Sequence, residues 1–484
     1  EHVAYHRSHP EVREPHAIVR PATLPRERQI DICAHCHGNS VTFAAAPFSF
    51  RPGRPLTSAF KPFRTRHPEQ DHVANQVTYL QQSRCFRASD SMTCTTCHDP
   101  HQPRSDTNAG HVSCLQCHDA DHCTDRPNLP PPVRDACVDC HMPSSPKIQV
   151  SFRTADDDFY SPVRRYEHRI AVYPLARDAT LLRWYSANAG ESTPKLDALR
   201  ESVSRRLRDR IDGLVAEHRF LAAIAVTRDA VALPLSADAR QAFRRRLREL
   251  TERQATIEVT WQRALHVMAE QQWQTARSLF ERILTLQPTH AGAHGRLGTV
   301  LAQLGDMENA RRHLEKVSEL DPEDAYGESM LGWIALLSGT PQQAAVHYRR
   351  AAAITPWDER IQLRLAMALA QTGKLREAHQ AVQRALQIAP QFAEALLFAA
   401  RLALARNDGS AAYRHAVRAA RITGCRDVPC LLTLCDAAIR TDRIEVARQA
   451  LAAAAAVAPP DDSSLTEELA IRQRQLQSRD HHGG

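Results

Sequence analysis

Apolar residues along this 484-residue chain follow two regimes. After residue 255 they keep a fixed period. Pro288, Pro322, Pro356 and Pro390 stand 34 residues apart, as do Ala276, Ala310, Ala344, Ala378 and Ala412. Gly298 and Gly332, then Ala366 and Ala400, continue the same register. Such a ruler predicts stacked helical hairpins. The small residues mark where two helices approach closely, and each proline ends the second helix and starts the turn into the next unit. Before residue 165 there is little sustained helical or strand periodicity, and prolines are frequent from Pro10 to Pro68.

The period and its residue pattern are those of tetratricopeptide repeats. Units start near 257, 291, 325, 359 and 393. A looser one starts from about 427, and Ala447 and Pro459 end it with one inserted residue. Ala242 keeps the register upstream, so 223–256 reads as a degenerate repeat. "SLTE" from Ser464 to Glu467 is a capping-box pattern and predicts a polar-faced helix that caps the solenoid. The closing "RDHHGG" is expected to fray. A solenoid of this kind offers a concave groove to a peptide, a partner protein or another copy of itself. His266, His290, His294, His313, His347, His379 and His415 read as ordinary helix positions. Cys425 and Cys430 flank "RDVP" and are candidates for a local disulfide.

The first third is rich in cysteine and histidine: ten of 13 cysteines precede residue 141, and fifteen of 25 histidines precede residue 169. Four pentads Cys-x-x-Cys-His occur: Cys33, Cys36, His37; Cys94, Cys97, His98; Cys114, Cys117, His118; and Cys137, Cys140, His141. Paired Cys-x-x-Cys units also build zinc sites, but zinc does not require His directly after every second Cys. The pentad is the attachment signature of c-type haem: two thiols form thioethers to the porphyrin and the His ligates the iron. Four covalent haems would supply the apolar interior that so irregular a segment lacks.

Full ligation on both faces of four haems needs eight imidazoles. An imidazole ligand places its Cα roughly 6 Å from the metal, so two trans ligands have Cα atoms about 12 Å apart. Three extended residues span at most about 11 Å, and Pro100 restricts the link from His98 to His101 further. His101 is therefore a candidate distal ligand to a different haem from the one His98 holds. His72, His168 and His2 are the other candidates; His67, His111 and His122 follow, and His35, inside its own motif, is poorly placed. Methionine would raise the potential, but only Met92 and Met142 lie in this region and both abut attachment motifs. Bis-His ligation is the expectation.

Composition adds little. Charged residues make up 24% and apolar ones 43%, and no apolar run approaches the ~18 residues of a membrane span. The net charge of +7 rests on basic residues scattered over helical stretches, and no nucleic-acid module is visible. The opening "EHVAYHRSHP" lacks the shape of a signal peptide. Covalent haem attachment nevertheless implies export to the periplasm or beyond, where disulfides persist and Cys85 and Cys123 are a candidate pair. The expected organisation is mainly α: an irregular, haem-cored tetrahaem domain (1–176), a helical linker (177–256), an α-solenoid of repeat helix pairs (257–460), and a capping helix with tail (461–484).

The string "YLQQSRCF…MTCTTCHDPH…CLQCH…CVDCHMP" resembles multihaem cytochromes c related to cytochrome c-554 and hydroxylamine oxidoreductase, in the branch with C-terminal tetratricopeptide repeats. The resemblance covers essentially the whole chain. It implies an exported protein with closely stacked, mostly bis-His haems, in which His101, His168 and His2 are distal ligands. Members of this branch usually carry further attachment motifs upstream of a segment like "EHVAYHRSHPE", so this chain looks like the second half of a longer cytochrome. The leading expectation is an electron relay in which the repeats dock a redox partner or a neighbouring copy, with extension into a haem wire. The alternative is an enzyme that reduces or oxidises a small nitrogen or sulfur compound at an open haem iron. A third reading is a binding scaffold with structural haems.

Overall fold

A computed structural model describes residues 2–12, 18–38, 42–43, 49–61, 75–99, 113–119, 122–152, 161–188, 193–459 and 462–480. Packing divides the chain into two compact units, Glu1–Ala293 and His294–Gly484. The described residues are mainly helical.

The first unit opens with short elements. They include the helices Arg26–His37, Gln76–Gln81, Arg84–Ala88 and Cys137–His141, the second and third separated by two residues. Thr42–Phe43 pairs with Phe60–Lys61, and Ser144–Phe152 with Ser161–Tyr166, both antiparallel. The second hairpin has no counterpart in the sequence expectations. Pro146 and Pro162 lie inside it and argue against a strand by pattern; a two-stranded ribbon has an outer edge on each strand where a missing N–H is tolerated. The side-chain core of this region is small: Ile30, Ala34, Leu56, Ala59, Phe60, Val77 and Phe86. Cys33 and Met92 pack against it.

Longer helices follow: Pro174–Asn188, Pro194–Ala216, Phe220–Ala232, Ala237–Ala269 and Trp273–Leu286. Thr193 caps the second of these, accepting from the Leu196 N–H at 3.3 Å, and Pro194 occupies its first turn, where no donor is lost. A repeat boundary was expected near 257, but Ala237–Ala269 runs through it as one 33-residue helix. The reason is the missing breaker: the register places Gln254 where later units have Pro288 and Pro322. Ala242 is also only half-buried, and Phe243 beside it takes the core position at 3% exposure.

From residue 294 the second unit is built of helix pairs. They include Ala325–Leu337 with Pro341–Ile354, Glu359–Gln371 with Leu375–Ile388, Ala393–Ala405 with Gly409–Ile422, and Val428–Arg440 with Ile444–Val457. The ruler is a packing register. Ala310, Ala344, Ala378 and Ala412 are completely buried, as are Ala366 and Ala400. A second ruler runs through the turns inside the pairs: Gly305, Gly339, Gly373 and Asn407 all have positive φ, residues that tolerate the left-handed region best. The next such turn residue is Asp442, one position late. The extra residue lies in the linker Thr423–Asp427, one longer than Asp321–Asp324, Thr355–Asp358 and Ala389–Phe392. There Gly424 and Cys425 both take positive φ. Cys425 is exposed while Cys430 is buried in the next helix, and both thiols are free, so the expected local disulfide is absent.

The last helix, Ser463–Asp480, packs on the final pair and buries Leu476. Its cap is Asp462, whose carboxylate accepts from the Leu465 N–H at 3.0 Å, two residues earlier than the expected Ser464. Arg472 clamps Asp436 with two bonds of 2.8 Å.

Candidate functional site

The four pentads sit on single helical turns, which puts both thiols and the imidazole on neighbouring faces. Cys33, Cys36 and His37 close the helix Arg26–His37. Arg26 at its start ties this helix to the second motif: Nε donates to the Met92 carbonyl (2.9 Å), Nη2 to the Phe86 carbonyl (2.8 Å), and the guanidinium lies 4.0 Å from the Phe86 ring centre. Cys94–Thr96 forms a 3-10 turn closed by a capping box between Thr93 and Thr96. The N–H of His98 donates to the Cys94 carbonyl (2.9 Å), and that of His118 to Cys114 (3.0 Å). Cys137, Cys140 and His141 form one short helix.

The first two motifs meet through their thiols. Cys33 and Cys94, 61 residues apart, share a hydrogen bond that pulls the Cys33 thiol down to about 7 and pushes that of Cys94 up. Burial pushes Cys140 up to about 11 and raises Cys137. The charge of Cys123 adds to both shifts, so it lies within electrostatic reach of the fourth motif. Cys85 and Cys123 are free, so the expected pairing between them is not formed.

Among the candidate distal ligands, His168 is brought to a motif. Its ring lies parallel to that of His98, at an interplanar angle of 11° and 6.0 Å between centres. His168 Nδ1 is bonded to the Tyr166 carbonyl at 3.0 Å. His141 shows the same arrangement: Nδ1 bonds the Ala171 carbonyl at 3.0 Å. The two rings are stacked, so a second imidazole lies beside the second pentad. Ser83, which the sequence reading passed over, fixes that segment: it is buried, its hydroxyl donates to the His168 carbonyl (3.0 Å) and accepts from the Ile170 N–H (2.9 Å). Its only sequence signal is its place in "YLQQSRCF".

His122 lies edge-on to His118 with ring centres 5.8 Å apart, its Nδ1 accepting from the Asp119 N–H. His35 packs on Phe50 and Phe60. His72, His101, His67 and His111 lie outside the described residues, as does the side chain of His2. Arg177 braces the fourth motif's surroundings, bonding Asp125 at 2.7 Å and the buried Asp178 at 2.9 Å.

In the second unit the repeat histidines act as helix clasps. His294 and His313 bring their Nδ1 atoms within 2.8 Å, one ring donating to the other. Exactly one period on, Glu328 and His347 make the same cross-helix contact at 2.8 Å. His415 is half-buried, and burial, then Arg418 and Arg414, lower its pKa.

A tetratricopeptide-repeat family model matches residues 267–334 and 335–384. These residues are tetratricopeptide repeats. No curated protein matches the chain by sequence. Among solved structures, the tetratricopeptide part is similar to PilW, a type IV pilus biogenesis factor (19% identity over 44% of this chain and 97% of that one, TM-score 0.40). It is also similar to Pseudomonas aeruginosa pilF (16%, 47% and 99%, TM-score 0.41) and to YrrB, described as a tetratricopeptide protein with an unusual peptide-binding site (15%, 40% and 97%, TM-score 0.34). The tetratricopeptide repeats are a protein-interaction architecture. Among the described residues no helix is long and apolar enough to cross a membrane.

Proposed function

We propose that this protein is an extracytoplasmic multihaem c-type cytochrome that relays electrons, with its repeats docking a partner protein or another copy. The observation that carries the proposal is the occurrence of four complete attachment pentads, one of which, at His98, has a second imidazole parallel to it at 6.0 Å. When bound, haem supplies a one-electron couple at its iron.

The chain's own residues would do the rest. Cys33 and Cys36, Cys94 and Cys97, Cys114 and Cys117, and Cys137 and Cys140 would hold the four porphyrins by thioethers. His37, His98, His118 and His141 would be the proximal ligands, and His168 the distal ligand opposite His98. The Tyr166 and Ala171 carbonyls hold the His168 and His141 rings in the tautomer that presents Nε2. The contact between Cys33 and Cys94 supports close placement of the first two attachment points, the arrangement a relay needs. His101, His72 and His2 remain the proposed ligands for other irons.

The test is expression in a host that exports the chain and attaches haem c, followed by pyridine haemochrome assay and EPR. Four covalent haems per chain with low-spin signals support the relay. Zinc with no covalent haem would refute it, and a high-spin, carbon-monoxide-binding haem would favour an enzyme with an open iron.

A further inference from the structure

Some arginines of the second unit find carboxylates: Arg349 pairs with Glu377 and the half-buried Arg472 with Asp436. Three others instead line one cavity together. Where the helix Gly409–Ile422 meets the turn after Arg440, a cavity of about 600 Å³ is lined by Arg414, Arg440 and Arg443, together with Ser410, Tyr413 and Thr441. None of the three guanidinium groups forms an ion pair among the described residues. Arg440 gives one nitrogen to a neutral acceptor, the Asn407 side-chain oxygen. The Arg443 guanidinium carbon lies over the Tyr413 ring, 4.4 Å from its centre, which holds the group in place without neutralising it.

Three guanidinium groups outnumber the two carboxylates of this region: Asp408, which caps the helix and accepts from the Ala411 N–H at 2.9 Å, and Asp442 in the turn. The walls are fixed as well: a Cβ on Gly409 would lie 3.3 Å from the Thr441 methyl and 3.4 Å from Arg440. Two of the three cations are therefore held before any ligand arrives, which lowers the ordering cost of binding.

We infer that this cavity is an oxyanion-binding site that receives an acidic segment of a partner protein, adjacent carboxylates meeting the three guanidinium groups. Fork-shaped donors match carboxylates in a bidentate manner. The cavity is also far larger than one small ion requires, and it lies on repeats whose architecture binds proteins. This inference is independent of the haem reading.

The test uses the full-length protein and a fluorescein-labelled hexaglutamate peptide, read by anisotropy at low and at physiological ionic strength, with inorganic phosphate as a separate arm. Arg414→Gln/Arg443→Gln is expected to weaken peptide binding about tenfold or more and to flatten its salt dependence. Arg384→Gln, on an exposed stretch of another helix, is expected to leave binding unchanged. Thermal melts confirm that the variants fold; exposed arginines tolerate this change. Failure of the wild type to bind hexaglutamate, or equal binding by the double variant, overturns the inference. Binding of phosphate but not of peptide assigns the cavity to a small ion and overturns the partner assignment.

Discussion

Gly332→Ala tests whether the 34-residue ruler is a packing constraint. A Cβ built on Gly332 would lie 2.9 Å from Tyr348 Cζ and 3.0 Å from both Cε atoms. The Tyr348 ring cannot retreat, because it is fully buried among Ala344, Leu363 and Ala366. Overpacking of this kind costs about 1–3 kcal/mol. Replacing Gly by Ala inside a helix returns about 0.8–1 kcal/mol. The net expectation is a loss centred near about 1 kcal/mol, a factor of about 5 in the local opening equilibrium. A chain of two units need not unfold in one step, so the assay should be local. Hydrogen exchange of peptides from 325–354 should quicken by that factor, while peptides from the other unit stay unchanged. Tyr348→Leu opens room beside residue 332, so the double variant should lose less than the sum of the single variants by about 1 kcal/mol. If Gly332→Ala exchanges as slowly as the parent, or more slowly, glycine at this register is not there for close approach and the reading of the ruler fails.

Three other outcomes are expected. In the haem-loaded protein, His168→Ala should turn one haem of four high-spin and carbon-monoxide-binding while all four stay attached; unchanged low-spin EPR would remove His168 as a ligand. In the haem-free chain, iodoacetamide should label Cys33 with a midpoint at about 7 and Cys140 only towards about 11, and equal rates at neutral pH would contradict the thiol contact with Cys94. Burial lowers the His415 pKa in the folded state, so the unfolded chain takes up the proton first as pH falls through the ordinary histidine range. The second unit should lose stability over that window in urea melts, and His415→Leu should flatten the slope.

What could be read from the chain depended on how far apart the cooperating residues lie. The repeat register was legible because each unit restates it: Ala310, Ala344, Ala378 and Ala412 are one position seen four times, and all are buried. The turn ruler of Gly305, Gly339, Gly373 and Asn407 was equally available but unused. It would have placed the inserted residue in the linker before Val428, where Cys425 takes its left-handed conformation. The fused helix Ala237–Ala269 shows the limit of extrapolating a period: without a proline near 254, a run of good helix formers continues. In the first unit the local motif was legible and its closure was not. Reach arithmetic excludes His101 from the iron that His98 would hold, because both are in one short segment. It cannot name the partner, because His168 is 70 residues downstream (168 − 98) and arrives through Ser83 and the turn after Tyr166. Sequence could offer His168 only as one candidate among several, because no repeat or local spacing ties it to one pentad. What the fold adds to the second pentad is a second imidazole, His168, whose ring stacks on that of His98 at 6.0 Å.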